Sequence, residues 1–443
     1  MRPLLRRLKW VLLASLAFVA GPPERCEGVP PHLRVGIMLH QAEVSFSGPA
    51  GVTVGAPNGD KPLATIPANE TWTIRPAASS LPPRSGGGAV LVSPAGAEAG
   101  LPPATIHLTA SENSTVTTHG VQGHWDKRTD RDYRGVIEIT HNAGGFTVVN
   151  LVDVETYLRG VVPSEMPATY PLAALQAQAI AARGQALMKA GRHRSEGFDL
   201  CSGQHCQVYG GATIEDPRSD QAVASTFGQI LTYHGRLADT LYSSTCGGHT
   251  ANNEDYWTSA PPIPYLRGVA DFEPDDRVSY TFPLTEQQAQ AYLKYAPPVH
   301  CNQPAYAKTD KIRWWSVVRR EDLEKTIHDA VGDIGTLMEI RIVNRAPSGL
   351  VRTIAIIGTK RLVRLNGGSA IRHALGGINS TAFAIQSIPE QDGTPVAFAV
   401  WGAGWGHQVG MCQVGAAGLA DRGWGYEQIL SKYYIGCQVE KRY

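Results

Sequence analysis

Short stretches of alternating apolar and polar residues, separated by Gly and Pro turns, run through the first third of the chain. They begin with LRVGIML, AEVSFSG and GVTVG within residues 30–75, and resume as ATIHLTA, YRGVIEITHN and GGFTVVNLV. Alternation with a period of two places one face of each strand in a core. Turn residues at 142–145 separate the last two stretches and predict a hairpin.

The longest helical pattern follows these strands. Thr169 can cap this helix, Pro171 lies in its first turn, and the run LAALQAQAIAARGQALMKAG ends at Gly191. Small side chains at helical spacing form one face that allows close packing. The residues of this face are Leu172, Leu175, Ala179, Ala182 and Ala186.

The second half of the chain mixes helices and strands. Helical patterns cover residues 285–295, 320–331 and the final YEQILSKYY, whereas residues 337–365 are typical of a series of hairpins. Since strands dominate and one long helix lies among them, we predict an α+β fold. It would have a strand-rich body with a central alanine-rich helix, and a smaller strand-rich subdomain.

Residues 1–28 have the composition of an export signal. Four basic residues, Arg2, Arg6, Arg7 and Lys9, precede the apolar run WVLLASLAFVA. This run is too short for a comfortable membrane-spanning helix, so we interpret the segment as a signal peptide or an uncleaved N-terminal anchor. The mature chain is then extracytoplasmic: secreted, periplasmic or associated with the cell wall. It would contact a membrane only through an uncleaved N-terminus.

A shift in composition divides the following region. Residues 29–130 are rich in strand patterns, but residues 76–104 are rich in Pro and Gly. We expect this stretch to be a flexible or inserted segment with little to bury.

Charge and cysteine content narrow the range of partners. The 443 residues are 43% hydrophobic, and the formal net charge is +1. No excess of positive charge is present to attract nucleic acid, so we expect no nucleic-acid partner. The seven cysteines are odd in number. In an oxidising compartment at least one of them would be free, bound to a metal or paired between chains.

The stretch VVPSEMPATYP, residues 161–171, places one carboxylate in an apolar loop. Glu165 lies between Pro163 and Pro167, just ahead of the predicted long helix. A helix dipole would favour its ionised form, whereas apolar burial would favour the protonated form. From the spacing alone, Glu165 is either a catalytic acid or an ordinary carboxylate at a helix N-terminus.

Six stretches occur in an order that resembles the stage II sporulation protein D family, which includes the amidase-enhancer proteins. They are YRGVIEI, VVNLVDVETYLRGVVPSEMPATYPLAALQAQAIAARGQAL, CQVYGG, STCGGHTANNEDYW, IRHALGGINSTAFAI and GWGHQVGMCQVGAAGLADRGWGYEQILSKYY. The likeness covers nearly all of the chain from about residue 30. It implies a peptidoglycan lytic transglycosylase with a substrate groove, acting on glycan strands that have lost their stem peptides. Residues 131–443 would form the catalytic domain.

The resemblance also implies roles for individual residues. Glu165, in the S-E-M-P motif, is the implied catalytic acid/base. Five residues of the quoted motifs are candidates for substrate binding: Arg183, Tyr209, Ser244, His407 and Gln413. Arg183 could instead hold the architecture of the site, and His407 could lock a tight turn.

Two motifs depart from the family pattern. The usual G-H-G-V-G-M-S-Q-Y-G-A becomes G-H-Q-V-G-M-C-Q-V-G-A at residues 406–416, and A-A-R-T-Y-A becomes A-A-R-G-Q-A at residues 181–186. Because the acid, the arginine, the histidine and the glutamine remain, we expect the reaction to survive with altered substrate contacts.

A lytic transglycosylase needs one carboxylate where a hydrolytic glycosidase usually needs two. The 6-hydroxyl of N-acetylmuramic acid attacks its own anomeric carbon, so the nucleophile is already tethered and a 1,6-anhydro end results. One residue with a raised pKa can protonate the bridging oxygen and then accept the hydroxyl proton. Glu155, Glu254 and Asp255 are better interpreted as structural carboxylates, and Tyr256 and Trp257 could stack on sugars or simply pack.

A loop after the long helix contains two histidines and two cysteines, His193, Cys201, His205 and Cys206. Two thiolates and two imidazoles satisfy a tetrahedral zinc site. Family resemblance supports a structural Zn²⁺ at such a Cys/His set, although the gaps differ. A Cys201–Cys206 disulfide is the rival interpretation for an exported protein.

Two other functions stay open. The chain could be a catalytically silent wall-binding protein that enhances a cell-wall amidase, which would then be its partner besides glycan strands. A zinc amidase is a weaker hypothesis, because two thiolates and two imidazoles would leave no position on zinc for water.

Overall fold

The computed structural model describes residues 29–57, 59, 61–77, 88–111, 114–122, 128–272, 282–295, 298–307 and 309–443. The predicted signal or anchor, residues 1–28, lies outside this part of the chain. No helix within the described residues is both long enough and apolar enough to cross a membrane. The fold is α+β, with several sheets and ten helices in the described residues.

A seven-stranded sheet supports the region that contains Glu165. Its strands, in spatial order, are β13 (Leu200–Cys201), β1 (His32–Gln41), β12 (Gly145–Asp153), β11 (Val136–Asn142), β8 (Ile106–Ala110), β3 (Val52–Gly55) and β4 (Ala64–Ile66). Only β13 and β1 pair in parallel. Strands β11 and β12 form the hairpin predicted around residues 142–145, closing with Asn142 opposite Gly145.

A six-stranded sheet packs beside the first. Its strands, in spatial order, are β10 (Arg128–Tyr133), β9 (Val116–Gln122), β2 (Val44–Ser47), β5 (Trp72–Pro76), β6 (Ala89–Val92) and β7 (Glu98–Leu101). Strands β6 and β7 fall inside the segment 76–104 that was expected to be flexible or inserted. Within its described residues, 76–77 and 88–104, the segment instead adds a hairpin to the sheet, because Ala89, Leu91 and Leu101 can be buried.

Helix α1 (Val154–Glu165) follows β12 directly and corrects the prediction of a loop around Glu165. The Asp153 side chain caps the helix by accepting hydrogen bonds from the backbone N–H groups of Glu155 and Thr156, both at 3.0 Å. Pro163 lies inside the last turn, where it removes one helical hydrogen bond. Burial of the apolar face of α1 outweighs that loss, since Leu158 and its apolar neighbours are fully buried.

Helix α2 (Leu172–Lys189) is the predicted long helix. Pro171, rather than Thr169, occupies the position before its first residue, and no side chain caps it. Most of the helix is buried, and its alanines allow close approach to four other helices. These are α1, α3 (Pro217–Ser225), α9 (Gln413–Asp421) and α10 (Tyr426–Tyr433). The C-terminal helix that was predicted from YEQILSKYY is thus confirmed as α10.

Two small sheets complete the surroundings of α2. One contains β15 (Arg236–Leu237), β14 (Gln229–Tyr233) and β24 (Gln438–Lys441). The other is a parallel pair of β16 (Tyr242–Ser243) and β23 (Met411–Cys412), which joins the segment before residue 246 to the start of α9.

A second hydrophobic core lies in the segment 313–403. Two three-stranded sheets enclose it: β17 (Arg313–Arg319), β22 (Pro395–Ala403) and β21 (Phe383–Pro389), and β18 (Leu337–Arg345), β19 (Val351–Gly358) and β20 (Leu362–Asn366). Helices α7 (Arg320–Val331) and α8 (Gly368–Ala374) cover these sheets, and the remaining helices are α4 (Asn253–Tyr256), α5 (Glu286–Lys294) and α6 (Thr309–Ile312). Helices α5 and α7 and the hairpins at 337–365 agree with the sequence predictions.

Candidate functional site

Glu165 is the last residue of α1 and is half-buried. Its Oε1 accepts a hydrogen bond from the backbone N–H of Val208 at 2.8 Å. Within the described part of the chain Oε2 accepts no hydrogen bond, yet it is not among the fully enclosed polar atoms. The carboxyl group therefore has one oxygen anchored to the backbone and one open to solvent.

Burial raises the pKa of Glu165 above its ordinary value. The Val208 hydrogen bond and the positive charge of Lys189, the last residue of α2, lower it by smaller amounts. Glu165 lies at the C-terminal end of α1, where the helix dipole also disfavours an anion, rather than ahead of an N-terminus as the sequence suggested. The surroundings thus favour a carboxyl group that keeps its proton.

The backbone at Glu165 is held by the first residue of α9. Gln413 Nε2 donates to the Glu165 carbonyl oxygen at 3.0 Å and to Gln178 Oε1 at 3.2 Å. The next residue, Val414, donates its N–H to the carbonyl oxygen of Ser244 at 3.1 Å. Gln413 is therefore placed to position Glu165, while half-buried Ser244 lies beside the same helix start.

His407 and Glu165 are both influenced by the positive charge of Lys189. The Nδ1 of its ring accepts the Val409 N–H at 3.1 Å, and a hydrogen bond joins the ring to the Tyr242 backbone. Burial, with the nearby charges of Lys189 and Arg372, lowers the pKa of His407 to about 3. The imidazole is consequently neutral at physiological pH. The Val409 contact supports the alternative in which this histidine locks a tight turn.

Two of the substrate-binding candidates, Arg183 and Tyr209, are fully buried. Arg183 is 0% exposed, and its Nε and Nη2 both donate to the Glu155 carboxylate at 2.7 Å. Tyr209 is 1% exposed and donates its hydroxyl hydrogen to Asn150 Oδ1 at 2.7 Å. Their burial argues against direct contact with a substrate and favours an architectural role for both.

The other acidic candidates serve the structure, as expected. Glu254 forms two hydrogen bonds with the Arg267 guanidinium, at 2.7 and 2.6 Å. Asp255 Oδ2 accepts the backbone N–H of Asn252 and closes the capping box of α4.

The four residues of the predicted zinc group do converge. The ligand atoms of His193, Cys201, His205 and Cys206 all lie within 4.8 Å of one another. Both cysteines are free thiols in this structure. His193 Nδ1 contacts Glu196 Oε1 at 2.6 Å, which leaves its Nε2 facing the group. Such an outer carboxylate is the usual partner of a zinc-bound histidine, so the donor set fits Zn²⁺.

The Cys/His group and Glu165 are connected by a short stretch of backbone. Cys206 lies two residues before Val208, whose N–H contacts the Glu165 carboxylate. Lys189 Nζ also donates to the Cys206 carbonyl oxygen at 3.4 Å. A metal bound here would therefore fix the segment that holds Oε1.

Three features of the site were missed in the sequence. The Val208 N–H carries no side-chain signal, and Lys189 approaches Glu165 only through the packing of α1 on α2. The third is a buried group of Cys246, Asp271, Cys301 and Cys412. The odd cysteine count pointed to unassigned thiols, but their separation along the chain gave no motif.

The amino-acid sequence of this chain is similar to those of several known proteins. A sequence profile of the SpoIID family, described as "Stage II sporulation protein", matches residues 142–233. Stage II sporulation protein D of Bacillus subtilis (strain 168) is 32% identical over 308 residues, which cover 66% of this chain and 76% of the relative. The chain belongs to the stage II sporulation protein D family. The resemblance inferred from the motifs is thereby confirmed.

Other matches extend the comparison. The stage II sporulation protein D of Bacillus amyloliquefaciens is 31% identical over 309 residues, covering 66% of this chain and 76% of the relative. The amidase enhancer of Bacillus subtilis (strain 168) is 28% identical over 289 residues, or 63% of this chain. The match spans only 39% of that relative's length. A second profile, "Domain of unknown function (DUF8618)", matches residues 251–410.

Proposed function

We propose that the chain is an extracytoplasmic lytic transglycosylase with Glu165 as its single general acid/base. Its substrate would be the glycosidic bond between N-acetylmuramic acid and N-acetylglucosamine in peptide-stripped glycan strands. The observation that carries this proposal is the state of Glu165: a carboxyl group with a raised pKa, one oxygen held by Val208 and the other open to solvent.

The reaction that we propose uses this carboxyl group first as an acid and then as a base. Protonated Glu165 donates its proton from Oε2 to the bridging oxygen as the bond from the anomeric carbon to that oxygen breaks. The 6-hydroxyl of the same muramic acid ring bonds to the anomeric carbon, and its proton passes to the Glu165 carboxylate. The products are a 1,6-anhydro end and a new free hydroxyl, and no water is consumed.

We assign binding of the strand to three half-buried side chains, Trp257, His407 and Ser244. The Trp257 ring lies 5.1 Å from the His407 ring and offers an aromatic face for a sugar. Ser244 adds a hydroxyl beside the start of α9. We propose that these residues border the groove that holds the glycan, while Gln413, Arg183 and Tyr209 keep its walls in place.

A zinc ion at His193, Cys201, His205 and Cys206 would have a structural role. Its four protein ligands would complete a tetrahedral shell and leave no position for a reacting water. This chain's own contribution is the segment after Cys206, which presents the Val208 N–H to Glu165.

Purified full-length chain incubated with peptide-free glycan strands tests the proposal. Mass spectrometry should detect 1,6-anhydro ends. Glu165→Gln should abolish their release while the circular dichroism spectrum is kept, whereas the surface control Glu390→Gln should release them at the normal rate. Ordinary reducing ends would indicate a hydrolase instead. Unchanged release by Glu165→Gln would reject the assignment of the acid.

The relationship to the amidase enhancer supports a second candidate function. In that case the chain binds glycan strands and stimulates a cell-wall amidase without cutting the strands. Binding that survives in Glu165→Gln, together with no anhydro product from either protein, would favour the enhancer. A measurement of amidase rate with and without the chain would then decide.

A further inference from the structure

We propose that Cys246, Asp271, Cys301 and Cys412 form a second, fully buried zinc site that is independent of the Cys/His group. The three sulfurs and a carboxylate oxygen lie within 4.8 Å of one another. All four residues are at most 3% exposed. They come from segments far apart in the sequence, so their convergence is a product of the tertiary fold.

The spacing of the sulfurs suits one tetrahedral ion. Cys246 Sγ and Cys301 Sγ are 3.9 Å apart. Zinc–sulfur bonds of about 2.3 Å in a tetrahedron separate two sulfurs by about 3.8 Å. A disulfide between any two of these cysteines would leave the third thiol unpaired and the buried Asp271 carboxylate without the charge of a metal ion. All three cysteines are free in this structure.

Backbone N–H groups donate hydrogen bonds to two of the sulfurs, an arrangement that also stabilises thiolates bound to a metal. Cys412 Sγ accepts from the N–H groups of Cys246 at 3.2 Å and Gly415 at 3.3 Å. Cys246 Sγ accepts from the Gly248 N–H at 3.4 Å. These donors would offset part of the negative charge that three thiolates and a carboxylate leave around a divalent ion.

Asp271 is the residue whose burial most needs a cation. It is 0% exposed, and the positive charge of Lys432, a residue of α10, offsets its burial only in small part. It accepts the Tyr433 hydroxyl at 2.7 Å and the Cys301 N–H at 2.9 Å. A bound cation would offset the charge of this buried carboxylate.

The start of α9 is the element that such an ion would stabilise. Cys412 precedes Gln413, the residue that donates to the Glu165 carbonyl oxygen. Gly415 in the same turn is packed against Asp271 so closely that a Cβ atom would lie 2.6 Å from its Oδ1. The ion would tie this turn to the loops of Cys246 and Cys301.

Zinc stoichiometry tests the proposal, whatever the activity of the chain. Full-length protein purified without chelator should contain two zinc ions by elemental analysis. Cys301→Ser should lower this to one, Cys206→Ser should also lower it to one, and the control Cys437→Ser should keep two. A Cys301→Ser variant with unchanged zinc would overturn the proposal. So would a Cys246–Cys301 disulfide found in the wild type by mass spectrometry of peptides from a non-reducing digest.

A spectroscopic readout covers the case in which Cys301→Ser does not fold. The double variant Cys201→Ser/Cys206→Ser has no thiolate left in the Cys/His group. Loaded with Co²⁺, it should still show strong thiolate-to-cobalt charge-transfer absorption from the buried cluster. Absence of that absorption in the folded double variant would contradict the second site.

Discussion

Helix α1 carries two glutamates, one in its first turn and one at its last residue, and their surroundings are opposite. Glu155 is 8% exposed, and its oxygens accept from Arg183, from the Tyr443 hydroxyl at 2.6 Å and from the Gly228 N–H at 3.3 Å. Glu165 accepts one backbone hydrogen bond and has an open Oε2. Both are carboxylates in an apolar region, and only the partners distinguish them.

This difference indicates which carboxylate can do chemistry. A carboxylate paired bidentately with a buried guanidinium is held in one position by its partners. A carboxyl group without a cation in direct contact is free to gain and lose a proton, because burial disfavours its charge. The comparison therefore assigns a structural role to Glu155 and supports the catalytic role of Glu165.

The largest expected effect is on the free energy of unfolding when the Glu155–Arg183 pair is broken. Glu155→Gln leaves a buried guanidinium charge without its counterion, which costs about 3–5 kcal/mol. Urea denaturation monitored by circular dichroism measures this loss. A change below about 1 kcal/mol would show that the Glu155–Arg183 pair stabilises the fold no more than a solvent-exposed ion pair does. The structural role assigned to Glu155, as opposed to Glu165, would then lose its support.

Glu165→Gln is the matched variant at the other end of the same helix. Its raised pKa means that the folded chain binds this proton more tightly than the unfolded chain does. The stabilising contribution of Glu165 is present at acidic pH and is lost as the pH rises through the folded-state pKa. At pH 8 the amide should therefore unfold no more easily than the wild type. A clear destabilisation there would mean that Glu165 also has a structural role.

The next effect concerns the zinc ion proposed for the Cys/His group, which is linked to Glu165 through the Cys206–Val208 segment. Glu196→Gln weakens the carboxylate that orients His193 and should lower zinc affinity about 10–100-fold. Competition with a chromophoric chelator measures it, with Glu390→Gln as the control. We also expect faster hydrogen exchange at the Val208 amide and unchanged exchange near Glu155. Unchanged zinc affinity would remove Glu196 from the group.

Sequence patterns predicted elements best where local chemistry decides. Helix α5 begins at a capping box formed by Thr285 and Gln288, and the amphipathic pattern of α7 covers its observed length. The Cys/His group could be predicted because its four residues lie within one loop. The prediction failed at Glu165, because two prolines suggested a loop where burial of α1 tolerates Pro163.

Contacts between residues far apart in the sequence could not be predicted from local patterns. The pairing of Glu155 with Arg183 joins two helices, and Cys246, Asp271, Cys301 and Cys412 meet only after several sheets have formed. The sequence also could not show that Arg183 and Tyr209 are buried, whereas other substrate-binding candidates such as Ser244 are half-buried. Motifs identify which residues matter, but their roles depend on exposure and partners.

A smaller effect is expected in the pH dependence of activity. Because Glu165 must be protonated to act as the acid, kcat/KM should fall on the alkaline side as the pH passes its raised pKa. His407, with a pKa lowered to about 3, should not titrate in this range. A profile of anhydro-product release at several pH values measures the fall. If the rate of product release instead stays constant at every alkaline pH at which the chain remains folded, Glu165 does not act as a protonated acid.

Lys189 offers the finest adjustment of that profile, because within the described residues its positive charge lowers the pKa of Glu165. Lys189→Met keeps the apolar stem and removes the charge, so the pKa of Glu165 should rise and the alkaline fall in activity should move to higher pH. Lys189→Arg should leave the fall near its original position, and Lys360→Met, at the distant surface, should not move it. Zinc content and unfolding free energy serve as checks that Lys189→Met has not disturbed the Cys206 segment. A shift to lower pH in an otherwise intact variant would mean that Lys189 acts on Glu165 through structure rather than charge.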